Sequence, residues 1–169
     1  MNVRFRLALA VAGFVALTAP ARASVVLNFN FIEAGATPTA AAPGQSFLVA
    51  TFTQFNSTTV DLKLEAPRLA AGSAVEFVSD WWFNLNPAYV PSSLAFSVLS
   101  SLGTLSSPTT DTPGAQNGIT RAGGVFDFGI SFATSAAGGA RFEDDESITL
   151  RIVRSAGLLE SDFSFASGG

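Results

Sequence analysis

The chain has 169 residues, 48% of them hydrophobic and only 13% charged, where an ordinary soluble domain carries about 25% charged residues. It contains no His and no Cys, which excludes a Ser-His-Asp or Cys-His catalytic centre, a His-led zinc site, an iron–sulfur cluster and any disulfide. Its 9 basic residues are scattered among 13 acidic ones, so there is no basic patch to neutralise nucleic-acid phosphates and no nucleic-acid partner is expected.

Met1 to Ala23 has the three parts of a secretory signal peptide. Arg4 and Arg6 supply a positive start, Leu7 to Thr18 an uncharged apolar run, and Ala21-Arg22-Ala23 the small-x-small pattern that precedes cleavage, with Ser24 as the new N-terminus. Pro20 and Arg22 break the apolar run short of the roughly 20 residues that a membrane-spanning helix needs. Cleavage after Ala23 removes three arginines and leaves 146 residues with 6 basic against 13 acidic side chains, a net charge of −7. A chain of that size buries about 68% of its unfolded surface, enough for one unstapled core, so residues 24–169 are expected to form a single domain.

From here on the periodicity is two. Leu27 to Phe31 alternates apolar and polar residues and predicts a strand with Leu27, Phe29 and Phe31 inward. Glu33 to Ser46 is poor in large apolar residues and predicts a long loop, of the kind that is functional or disordered. Strands follow at Phe47 to Phe55 and at Val60 to Glu65, the second with Leu62 and Leu64 inward. Trp81 to Asn86 and Leu94 to Leu99 are two more, separated by a turn at Pro87 and Pro91, with Trp81 and Phe83 inward. Gly103 to Gly118 predicts a second long loop. Phe126 to Phe132 turns Phe126, Phe128 and Ile130 to the core, and Ile148 to Ile152 turns Leu150 and Ile152 there.

Seven strands with one wet face each require a second apolar layer, which predicts an all-β fold, an antiparallel β-sandwich or jelly roll. Helical spacing is nearly absent, with at most one turn at Leu158 to Phe163. The mature chain has neither a repeat of fixed period nor an apolar stretch fit to span a membrane. Leu158 to Phe165 also starts an apolar alternation, yet only Ala166 to Gly169 follow, too few for a return strand of about five or six residues. The domain is therefore expected to be C-terminally incomplete, with an unpaired strand edge or an uncovered apolar strip at that end.

Two clusters carry the polar groups with chemical potential. In Trp81 to Asn86, alternation places Trp82, Asn84 and Asn86 opposite the core-facing set, where an indole can stack on a sugar ring and two amides can pair with hydroxyls. The competing reading lays Trp82 beneath a loop and spends the amides on turn backbone. In Glu143 to Glu146, the side chains of Asp144, Asp145 and Glu146 are oxygen donors for a calcium ion. Consecutive residues in an extended segment point in opposite directions, however, so an acidic turn before the Ile148 strand is the plainer reading and no cofactor is expected. Lys63, the single lysine, has no Ser-x-x-Lys pattern around it, and the glycine pairs Gly123-Gly124 and Gly138-Gly139 stand isolated at turns. Glycoside hydrolysis needs two carboxyls across a cleft, and the sequence does not show which of the 13 acids approach each other, so a hydrolase stands a distant third and no enzymatic activity is expected.

Glu76 to Pro87 (EFVSDWWFNLNP), Gly124 to Phe132 (GVFDFGISF) and Arg141-Phe142, taken with the leader, resemble the exosortase-dependent PEP-CTERM surface proteins of bacteria. Two features depart from that pattern: Thr120 to Gly124 stands where an Asp-Gly-Asp-Gly-like turn often precedes the Phe-Asp strand, and the C-terminal sorting signal is missing. The resemblance implies export to the envelope surface or the extracellular space and association with exopolysaccharide, biofilm matrix or other surface proteins. It implies no enzymatic activity. A carbohydrate-binding module using the Trp82, Asn84 and Asn86 platform is the alternative.

Overall fold

The computed structural model describes residues 22–29, 46–69, 77–121, 124–135 and 141–165. Within them the chain forms ten strands: β1 (Ser24–Phe29), β2 (Leu48–Asn56), β3 (Thr59–Glu65), β4 (Asp80–Phe83), β5 (Ala95–Leu102), β6 (Thr109–Asp111), β7 (Ile119–Arg121), β8 (Gly124–Phe126), β9 (Phe128–Ser131) and β10 (Ser147–Val153). Every ladder is antiparallel. One sheet has the order β1-β2-β3-β10-β5, a second has β4-β9-β6, and β7 pairs with β8 in a short hairpin.

The two larger sheets face each other through aromatic rings. Phe52 of β2 meets Phe83 of β4 edge-on at 5.4 Å, and Phe96 of β5 meets Phe128 of β9 at 5.7 Å. Leu62, Leu64, Leu150 and Ile152 fill the space from the central strands β3 and β10, all fully buried as their alternation predicts. Edge-to-face and offset ring pairs of this kind add to the stabilisation from burial alone. This is the expected all-β sandwich.

On the outer face of the large sheet, Asp61 and Arg151 stand directly opposite in the β3/β10 register and form a two-pronged ion pair at 2.8 and 3.0 Å. The Arg151 guanidinium also lies over Phe55 at 3.9 Å. Its pKa is held above the ordinary arginine value chiefly by the Asp61 hydrogen bond, which desolvation opposes and to which the Asp61 charge adds least.

Four expectations change. The Phe126 to Phe132 strand is broken at Asp127, so Phe126 pairs with Ile119 in the hairpin and is only half-buried, while Phe128 starts β9. Asp127 is 2% exposed because its carboxylate turns inward to bind backbone, which overrides the alternation. Phe29 lies near the end of edge strand β1 and stays exposed apart from an edge contact with Trp81 at 5.4 Å, while Leu27 is half-buried and Phe31 falls outside the described residues. Gly103 to Gly118 is not all loop, since Thr109–Asp111 pairs with β9 as strand β6.

The segment after β10 differs as well. Where the alternation at Leu158 to Phe165 predicts a strand, Glu160–Phe163 forms a 3₁₀ turn, the single helical turn read at this place. It packs Leu158 and Phe163 into the core, each 1% exposed, with the Phe163 ring stacked on Phe52 at 4.3 Å. No unpaired strand is formed by these residues. No helix among the described residues is long and apolar enough to cross a membrane.

Candidate functional site

The alternation of β4 places its residues as the sequence predicts. Trp81, Phe83 and Leu85 are 3%, 3% and 1% exposed, and Trp82, Asn84 and Asn86 lie on the other side, half-buried. Trp82 stands opposite Gly129 in the β4/β9 register, and a Cβ at Gly129 would overlap the indole ring. The same ring carries the Arg121 guanidinium at 4.3 Å, a cation held against the negative π face. Trp82 is thus packed between its own sheet and the β7–β8 hairpin.

Asn86 is engaged at every polar group. Its backbone N–H donates to the Asp162 carbonyl and its side-chain N–H to the Asp162 carboxylate, both at 2.8 Å. Its side-chain oxygen accepts the Ala88 N–H at 3.0 Å, in the Asx turn that Asn favours before Pro. The carbonyl of Asn86 accepts the Tyr89 N–H at 2.9 Å and a side-chain N–H of Gln116 at 3.3 Å. Trp82, Asn84 and Asn86 therefore do not share one open platform.

Asn84 instead faces a cavity of about 280 Å³ that it lines with Leu85, Pro87, Gln116, Asn117, Asp127 and Phe165. Asp127 holds its walls together: one carboxylate oxygen accepts the Leu85 N–H at 2.7 Å and the other the Asn117 N–H at 2.6 Å. A buried carboxylate is tolerated where charge-assisted bonds of this kind replace its water. Asn117 takes a left-handed backbone, φ 54°, which Asn accepts more readily than most residues. Gln116 donates its side-chain N–H groups to the carbonyls of Asn86 and Tyr89. Two loops, 84–87 and 116–117, are thereby fixed beside the 3₁₀ turn that ends at Phe163, with Phe165, 42% exposed, at the rim.

The acidic cluster is engaged with the chain's own backbone. Glu146 accepts the Thr104 N–H at 2.8 Å and the Glu143 N–H at 2.9 Å, while Asp145, at φ 59°, gives its own N–H to the Ala66 carbonyl at 2.8 Å. Among the described residues no group of three or more acidic side chains comes together to hold a metal, so Asp144, Asp145 and Glu146 are not brought into one ligand set. They shape the turn entering β10.

At the expected cleavage position Ala21 lies outside the described residues, the Ala23 carbonyl accepts the Gln54 N–H at 2.9 Å, and Ser24 opens β1 opposite Thr53. Gln116, Asn117, Asp127 and Phe165 are the residues that the alternation did not single out. The one sequence signal for them is Pro113-Gly114-Ala115-Gln116-Asn117-Gly118, a turn composition inside a loop long enough to be functional. Comparison with known proteins adds no name: no protein-family model, no curated protein and no solved structure matches this chain.

Proposed function

We propose that this is an exported, non-catalytic protein of the PEP-CTERM surface kind, acting at the cell surface or in the extracellular matrix in association with exopolysaccharide or other surface proteins. The observation that carries the reading is the use made of the carboxylates. Asp127, Asp162 and Glu146, three of the acids outside the strands, each accept two hydrogen bonds from the chain itself. Acids committed in this way stabilise long loops on a charge-poor scaffold. Hydrolytic chemistry instead needs a carboxyl that is offered to a substrate.

Export is supported by the three-part leader and by the start of β1 at Ser24, the residue that cleavage after Ala23 would make terminal. The test is cell fractionation followed by N-terminal sequencing of the purified protein. A mature chain in the envelope or medium beginning at Ser24 is expected; intact Met1 in the cytoplasm would overturn the reading.

Saccharide binding is the second reading, and one observation favours it: the cavity beside Asn84 has carboxamides on its wall and an aromatic ring at its rim. Binding of the purified protein to immobilised bacterial polysaccharides tests this, and absence of retention on every one of them would remove it.

A further inference from the structure

We propose that the cavity between the 84–87 turn and residues 116–117 is a binding site for one neutral sugar residue of a longer glycan, with Phe165 as the stacking surface. The proposal rests on the saccharide reading above and goes further by naming the contact residues and the class of sugar. At about 280 Å³ the cavity falls just below the roughly 300–1,000 Å³ of pockets that enclose drug-sized ligands. It has room for one ring, with the rest of a glycan outside.

The lining suits a pyranose. A sugar presents an axial C–H face that packs on an aromatic ring, and hydroxyls that need both donors and acceptors. Phe165, 42% exposed at the rim, supplies the ring. Asn117 supplies a carboxamide with both a donor and an acceptor end, Gln116 a carboxamide oxygen, and Asn84 lies on the wall beside them. Gln116 is already oriented, since its side-chain nitrogen is held by the carbonyls of Asn86 and Tyr89 and its oxygen remains as an acceptor. The Asn117 backbone is fixed on the cavity wall by its N–H bond to Asp127.

The charge on the lining sets the class. Among the described residues Asp127 is the one charged member of the lining, and no described Lys or Arg joins it. A uronic acid brought here would set its carboxylate near that of Asp127 with no described cation to receive it, a juxtaposition of like charges that disfavours it. Neutral hexoses meet no such penalty.

The experiment is an NMR titration of the isotope-labelled purified protein with cellotetraose, maltotetraose, mannotetraose and, as the acidic comparison, tetragalacturonate. Binding of at least one neutral tetrasaccharide is expected, with the largest amide shifts at Asn84, Leu85, Gln116 and Asn117. Phe165→Ala is expected to weaken it about tenfold, the scale of one aromatic contact. Asn117→Gly keeps the left-handed backbone while removing the amide and is expected to weaken it several-fold, with an unchanged spectrum elsewhere confirming the fold. Neutral sugars that shift only amides around Trp82 and Arg121 would overturn the site while leaving the saccharide reading standing. Equal or tighter binding of tetragalacturonate would overturn the assignment to neutral sugars. Absence of shifts with all four, from a protein that does retain on polysaccharide, would overturn the site alone; absence of both would overturn the site and the reading together.

Discussion

Asn86 and Asp162 hold each other through two hydrogen bonds, backbone to backbone and side chain to side chain, across 76 positions of sequence. Asp162 also accepts the Leu159 N–H at 2.8 Å with its second carboxylate oxygen, so one 5% exposed acid ties the turn after β4 to the 3₁₀ turn that inserts Leu158 and Phe163. Replacing Asp162 by Ala leaves two part-buried donors, the Asn86 side-chain N–H and the Leu159 N–H, without their acceptor. The expected cost is about 1–3 kcal/mol, read as a lower urea midpoint, because hydrogen bonds to a charged group are worth about 1.5–3 kcal/mol and water reaches part of each donor. Asp162→Asn keeps the shape and is expected to cost less; equal losses would show that packing and not hydrogen bonding dominates there.

Gly129 and Trp82 give a steric prediction. Gly129→Ala puts a methyl group into the indole, and overpacking of this kind costs about 1–3 kcal/mol. Trp82→Ala removes the obstacle, so the double variant is expected to lose less than the sum of the single ones. A double-mutant cycle by denaturant unfolding reads the coupling, and additive losses would contradict the close approach.

The break at Asp127 separates two neighbouring phenylalanines in energy. Phe128 is 0% exposed, and Phe128→Ala is expected to cost about 3–5 kcal/mol. Phe126 is half-buried in the hairpin, and its truncation is expected to cost about 1–2 kcal/mol. Equal costs would mean that the strand runs unbroken, as simple alternation has it.

The Arg151 guanidinium, whose pKa is raised by Asp61, contributes its share of stability below its unfolded pKa and loses it only as pH rises through the still higher folded value. No alkaline loss of stability below about pH 11 is therefore expected from this residue, since arginine titrates far above that. Thermal unfolding of the protein and of Arg151→Gln between neutral pH and about pH 10 checks it: the gap between the two melting temperatures should stay constant.

What the sequence made legible was whatever obeys alternation. β3, β10 and the Trp81/Phe83/Leu85 face were readable because burying one side of a strand demands that pattern. Asp127 was not, since a polar residue between two apolar ones looks outward until its backbone partners, Leu85 and Asn117, are known, and these lie 42 and 10 positions away. Phe165 was read as part of a strand because Phe163-Ser164-Phe165 alternates, whereas Leu158 and Phe163, five positions apart, would fall on opposite faces of a strand and are both brought into the core by the 3₁₀ turn. The backbone partners of Glu146 were hidden in the same way, because N–H groups of Thr104 and Glu143 leave no trace in composition. The candidate cavity is built from those hidden pairings, whereas the sandwich is built from the visible ones.

The central claim, that the protein associates with extracellular polysaccharide without cleaving it, is tested most directly by co-sedimentation with a panel of bacterial exopolysaccharides while reducing ends are measured in the same samples. Saturable co-sedimentation with a neutral polymer and no rise in reducing ends is the predicted result. Release of reducing ends above the polymer-alone control, or a protein left wholly in the supernatant with every polymer, would contradict it.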